Sequence, residues 1–147
     1  MRLEKDALCK LIPHAGSMCL LDTVEYWDEN LIICHTRSHL LPDNPLRRDG
    51  QLSLVNAIEY GAQGMAIHGG LLTQSGTGLT GAAYLASLKE IEIESDESLD
   101  YYSSDLIIEA KRIFADVGNL VYDFSVSTEK SRLINGQALV IEVETVS

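Results

Sequence analysis

Hydrophobic and polar positions change their period twice along this chain. The first dozen residues alternate loosely and predict a short helix over Lys5–Leu11. Pro13 stops it, because proline cannot continue a helical hydrogen-bond ladder. Met18–Trp27 and Leu31–Thr36 read as strands, joined by Asp28-Glu29-Asn30, which has turn chemistry. An irregular stretch, Ser38–Gly50, follows, holding Pro42, Asp43, Asn44 and Pro45. A loop of that length inside a compact domain is uncommon and often functional. Gln51–Leu72 then predicts one long helix, since Leu54, Ala57, Ile58, Gly61, Ala62, Met65 and Ala66 recur at three- and four-residue spacing. From Gly81 the period becomes two. Lys89–Glu94 alternates acidic and apolar residues, and Leu106–Phe114, Leu120–Ser127 and Ala138–Val146 predict three further strands. Ser95–Ser104, Asp116–Asn119 and Glu129–Gly136 read as the turns between them.

Strands joined by short turns are antiparallel neighbours. The long helix carries Glu59 as its sole carboxylate and no Lys or Arg, so it needs enclosure by other structure. The predicted fold is therefore α+β, a single domain over 1–147 with an antiparallel sheet curled around one central helix.

Composition narrows the function classes. The 147 residues carry a formal net charge of -11, which argues against a general nucleic-acid or anionic-membrane binder. No apolar run approaches the ~20 residues needed to span a bilayer, and the charged start lacks a secretory apolar block. A cytoplasmic protein is expected. Cys9, Cys19 and Cys34 are odd in number and lack Cys-x-x-Cys spacing, so three reduced, mostly buried thiols are expected.

Several residues carry candidate chemistry. Gly76-Thr77-Gly78-Leu79-Thr80-Gly81 matches G-x-G-x-x-G, but a helix precedes it and a strand follows, the reverse of a dinucleotide fingerprint. It reads as a loop. His35 and His39, four apart on a strand, would share a face and with Glu59 form a metal site; no further ligand is recognisable, so no metal is expected. His14 reads as structural, and His68 lies half a helical turn from Glu59. Glu59 is the most informative position, because a carboxyl enclosed in an apolar helix is costly unless partnered or functional, and enclosure favours the protonated form of such a group. Gln63, one turn on, is placed to hold Glu59 or a substrate group. His39 opens the loop as a candidate general base. Gly50 is expected at the helix N-terminus, where free amides can stabilise an oxyanion. Histidine, amide and glutamic acid around a thioester suit dehydration of a 3-hydroxyacyl group.

Leu11-Ile12-Pro13-His14, Met18-Cys19-Leu20-Leu21-Asp22, Ser38-His39…Asn44-Pro45-Leu46, Gly50 and Glu59-Tyr60-Gly61-Ala62-Gln63 occur in that order. The chain thereby resembles the hotdog-fold 3-hydroxyacyl-[acyl-carrier-protein] dehydratases, most closely the dehydratase-like branch associated with aryl polyene biosynthesis. The resemblance implies a hotdog fold, His39 and Glu59 as the catalytic pair, and a homodimer or a heterodimer with another hotdog dehydratase, with each site at a subunit interface. It also implies no metal or redox cofactor, and a substrate carried on the phosphopantetheine of an acyl carrier protein. Carrier proteins are acidic, and Arg47 and Arg48 are the candidate basic landing point for one. The loop departs from the family's His-Phe-x-Gly…Pro-Gly. A hotdog acyl thioesterase and a catalytically degenerate partner subunit are therefore the alternatives.

Overall fold

The computed structural model of the chain describes residues 2–12, 18–76 and 81–144. The elements run β1 (Leu3–Glu4), α1 (Lys5–Cys9), β2 (Thr23–Trp27), β3 (Leu31–Thr36), α2 (Ala57–Gln74), β4 (Gly81–Ile93), β5 (Leu106–Asp116), β6 (Asn119–Ser127) and β7 (Arg132–Glu144). Single 3-10 turns occupy Ser38–Leu40, Leu54–Asn56 and Leu99–Tyr101. The strands form one seven-stranded sheet in the order β1-β2-β3-β5-β6-β7-β4, with every neighbouring pair antiparallel. The sheet wraps α2, the arrangement the sequence pattern predicts.

Alternation explains which face meets the helix. Ile32, Cys34 and Thr36 on β3, Leu106, Ile108 and Ala110 on β5, and Leu120, Tyr122, Phe124 and Val126 on β6 are all buried. They meet Ala57, Tyr60, Met65, Ile67 and Leu71 of α2 in one apolar cluster. Helix and sheet approach closely because α2 is thin. A Cβ built on Gly61 would lie 2.6 Å from Phe124 Cδ2, and one on Gly64 would lie 3.0 Å from Ile108 Cγ2. The enclosure is incomplete. Besides Ile58, Gly70 and Gln74, the partly or fully exposed positions of α2 are Glu59, Ala62, Ala66, Gly69 and Thr73, which are spaced by three and four. That stripe is the helix face the chain's own sheet leaves uncovered.

Three boundaries and one covalent bond differ from the sequence reading. β2 begins at Thr23 rather than Met18, because side chains rather than a strand ladder take backbone groups of residues 18–21. α2 begins at Ala57, after a 3-10 turn whose Val55 N–H donates to the Ser53 hydroxyl at 3.4 Å. β7 runs straight through Asn135-Gly136, which had read as a turn; Gly136 is needed there because Ile91 and Phe124 fill the space of its Cβ. Cys9 and Cys19 are joined in a disulfide with Cα atoms 5.9 Å apart, correcting the expectation of three free thiols; only Cys34 is free, and it is buried. Their spacing of ten hid a contact that depends on α1 folding back over residues 18–22.

Candidate active site

The segment Met18–Asp22 is the hub on which the loop and the helix meet. Gln63 of α2 accepts a hydrogen bond from Leu20 N at 2.8 Å and donates to Met18 O. Thr36 and Ser38 hydroxyls both donate to Leu20 O, each at 2.6 Å. Lys5 donates to the carbonyls of Cys19 and Leu21 at 3.0 Å. With Ser38's proton given to Leu20 O, the Tyr60 hydroxyl, 3.0 Å away, donates to Ser38 Oγ. Asn44 Nδ2 completes the network by donating to Tyr60 Oη at 3.0 Å and to Ser38 O at 2.9 Å. Burial pushes the Tyr60 phenol's pKa up, against the opposing hydrogen bonds from Ser38 and Asn44. A satisfied buried network of this kind fixes one geometry. It joins residue 38 to residue 60, so the immediate sequence neighbours of His39 and Glu59 are hydrogen-bonded to each other.

The two candidates themselves turn different ways. His39 lies in the Ser38–Leu40 turn, fully buried, with Nε2 at 2.7 Å from Tyr102 O. A carbonyl only accepts, so Nε2 carries the proton and Nδ1 holds the free lone pair. Nδ1 is buried and has no hydrogen-bond partner among the described residues. Burial lowers the imidazole's pKa, outweighing the Tyr102 carbonyl's opposite pull, so the ring is neutral near pH 7. Glu59 instead stands exposed on the outward stripe of α2, with no hydrogen bond or ion pair among the described residues. The enclosure argued for it from helix apolarity is absent within one chain, because the uncovered stripe is the one that carries it.

Three further expectations are corrected. Gly50 (φ 77) follows Asp49 (φ 52) at the tip of a two-residue turn, where Arg48 N donates to Gln51 O at 2.8 Å and Gln51 N to Arg48 O at 3.0 Å. This is a tight hairpin turn that positive φ demands, and it precedes α2 by several residues, so Gly50 offers no helix-terminal amide. Gln63 is buried with both ends of its amide spent on backbone, leaving nothing for Glu59. Arg47 is no landing point. It donates to the carbonyls of Leu41 (2.8 Å), Gly50 (3.1 Å) and His39 (2.9 Å), and to the Asp100 carboxylate at 2.7 Å. Burial would raise the Asp100 pKa, but the Arg47 guanidinium holds it below the ordinary value. Arg48 remains exposed, its side chain bonded among the described residues to the carbonyls of Pro45 and Arg47.

The other histidines are placed elsewhere. His35 Nδ1 lies 3.8 Å from Asp105, away from His39's partner, and no group of three metal-ligating side chains occurs among the described residues. His68 is buried, its Nδ1 2.6 Å from Tyr122 Oη and its Nε2 2.7 Å from Asp28 O. His14 and the Thr77–Thr80 part of the glycine-rich motif lie outside the described residues. Burial pushes the Cys34 thiol up to about 12, which removes it as a nucleophile. Among the described residues no helix is long and apolar enough to cross a membrane.

Sequence reasoning missed Asp100 and Tyr102. Both sit in a segment that reads only as a turn, and no spacing rule links it to a loop more than fifty residues earlier.

Comparison with known proteins sharpens this geometry. The ApeP-like family, described as ApeP dehydratase, matches residues 7–147. The chain belongs to the ApeP-like dehydratase family. Solved structures share the hotdog fold. The dehydratase heterocomplex ApeI:P from Xenorhabdus doucetiae aligns with a TM-score of 0.80 at 19% identity, covering 94% of this chain and 91% of that one. S. sahachiroi AziG gives 0.62 at 14% identity, covering 91% and 96%. A hypothetical thioesterase with coenzyme A from Streptococcus pneumoniae TIGR4 gives 0.58 at 14% identity, covering 84% and 87%. No curated protein matches the chain in sequence.

Proposed function

We propose that this chain is a dehydratase subunit that removes water from a 3-hydroxyacyl thioester on an acyl carrier protein, giving the trans-2-enoyl thioester. The observation that carries the reading is a half-built pair. A buried neutral imidazole with one free lone pair and an exposed carboxyl flank the Ser38–Tyr60 hydrogen bond. Nδ1 of His39 takes the proton from the carbon alpha to the thioester. Glu59, as the acid, gives its proton to the β-hydroxyl. The C–O bond breaks, the C=C bond forms, and water leaves; solvent then returns the proton from imidazole to carboxylate. These transfers call for no metal and no redox cofactor, and the phosphopantetheine arm carries the substrate.

The working site is completed by a second hotdog subunit covering the outward stripe of α2. The heterocomplex among the similar structures supports a heterodimer with another dehydratase, and the family description supports the dehydratase reaction; aryl polyene synthesis in the cytoplasm is the setting we propose. The complete burial of His39 favours a second reading, a degenerate subunit that supports its partner's chemistry.

The test is to incubate the chain, alone and with a hotdog dehydratase partner, with a 3-hydroxyacyl carrier protein and follow the acyl group by mass spectrometry. Loss of one water without free thiol is expected from the complex. Free thiol without enoyl product would instead make it a thioesterase. Dehydration untouched by His39→Asn and Glu59→Gln would assign the degenerate-subunit role.

A further inference from the structure

The turn Leu99–Tyr102 holds His39 at two points, and the pair that closes this hold is hidden in the sequence. Tyr102 O accepts from the ring at Nε2, 2.7 Å away. At the peptide, His39 O accepts from Arg47 Nη2 at 2.9 Å, while the same guanidinium's Nη1 donates to Asp100 at 2.7 Å. The path therefore closes on itself: His39 carbonyl, Arg47, Asp100, the chain to Tyr102, and back to the His39 ring. The ion pair is largely shielded, with side-chain exposures of 14% and 21%. A planar guanidinium suits this place because its rigid fork reaches three loop carbonyls and a carboxylate at once, which an ammonium cannot do.

We propose that Arg47, locked by Asp100, is a positioning residue that keeps the Leu99–Tyr102 turn against the loop and so fixes the His39 ring with Nε2 protonated and Nδ1 free. This deepens the dehydratase reading and rests on it, since a base is useful only if the correct nitrogen faces the substrate. It concerns the ring's state, however, and that state is observable without catalysis. The turn has an independent tie to the loop, Leu99 N donating to Leu52 O at 2.8 Å, so breaking the ion pair leaves the fold an anchor.

The experiment is nitrogen-15 NMR of histidine-labelled protein, for wild type, Asp100→Asn and Arg47→Lys, with the His39 signals assigned by His39→Asn. Wild type is expected to show one tautomer, protonated at Nε2, titrating below the ordinary imidazole value of 6.5. Both variants are expected to show mixed tautomers and a titration moved up toward that value, as water enters around a loosened ring. In the active complex they are expected to lose about ten- to a hundred-fold in kcat with KM nearly unchanged, the scale of a misplaced group. Asp100→Asn is nearly isosteric and decides the matter if Arg47→Lys fails to fold. A folded Asp100→Asn variant whose His39 tautomer and titration match wild type overturns the proposal. A wild-type complex without dehydratase activity overturns the functional reading instead, and the NMR result then still stands or falls alone.

Discussion

The loop that holds His39 and the helix stripe that holds Glu59 are finished to different degrees. In the loop nearly every polar group has a partner: Asn44 bonds Ser38, Tyr60 and Leu46, Arg47 bonds three carbonyls and Asp100, and Thr36 and Ser38 share Leu20 O. The free lone pair of His39 Nδ1 is an exception. Along the stripe Glu59 has no hydrogen bond or ion pair among the described residues, while Thr73 bonds back to Gly69 O within the helix at 3.0 Å. Glu59 stands with Ala62, Ala66 and Gly69, small residues that allow another surface to come close to the helix axis. Among the described residues β4 ends the sheet, with β7 as its strand neighbour. On the proposed reading, one half of the site is completed by the chain's own folding and a partner completes the other. A site divided this way makes activity depend on assembly while the chain's stability depends mainly on the loop and core.

The largest effects should come from the two candidate groups, and they should separate by fold. Glu59→Gln is expected to lower the dehydration rate of the complex about 10²–10⁴-fold, the usual weight of a general acid, while leaving the melting temperature of the isolated chain unchanged. His39→Asn is expected to lower the rate by a similar factor and also to destabilise, because a buried ring that anchors Tyr102 is replaced by a smaller group. Paired rate measurements and thermal melts check this; equal melting losses from both variants would erase the distinction between the halves.

The inner and outer faces of α2 offer the next comparison. Gly61→Ala drives a Cβ to 2.6 Å from the rigid Phe124 ring, an overpacking that costs about 1–3 kcal/mol and exceeds the gain of about 0.5–1 kcal/mol from better helix propensity. Ala66→Leu on the exposed stripe should leave the isolated chain within about 0.5 kcal/mol of wild type but abolish assembly with a partner. Chemical denaturation measures the first and sedimentation the second.

These faces also show how far the sequence could be read. Period-two alternation located β3, β5 and β6 to within two residues, because each strand buries one face against α2 and that constraint is written locally. Glu59 was legible as the one charge on an apolar helix. What it faces was not, since its nearest neighbours along the uncovered stripe are Ala62, Ala66 and Gly69, which hydrophobic spacing cannot assign to inside or outside. Arg47 looked like Arg48 because both sit in one polar loop. Only the long-range contact with Asp100 tells a clamp from a free cation. The same limit hid the Cys9–Cys19 disulfide.

A smaller effect concerns pH. His39 and His68 are both buried with imidazole pKa values lowered by burial. Such a group is neutral when folded and takes up a proton more readily when unfolded. Its stabilising contribution is therefore complete above the ordinary value of 6.5 and is lost as pH falls from there toward the lowered folded-state value. Melting temperature should fall between about pH 7 and pH 5, and His39→Asn should flatten that slope in part, with His68 supplying the remainder. A slope unchanged in His39→Asn would mean that the loop does not shield the ring.

The smallest effect separates the two adjacent arginines. Arg48 is exposed and its side chain bonds carbonyls of its own turn, so Arg48→Glu should change stability by less than about 0.5 kcal/mol. If the loop is where an acidic carrier protein lands, that reversal should weaken carrier binding several-fold at low salt, with the difference shrinking as salt screens the charge. Arg47→Glu should act differently: it sets a carboxylate against Asp100 and three carbonyls, so it should disorder the loop before any question of docking arises. Carrier-protein titrations at two ionic strengths, alongside thermal melts of both variants, distinguish a landing charge from a structural one. Carrier affinity that Arg48→Glu leaves unchanged at low salt would take the loop out of the docking surface and leave both arginines with purely local work.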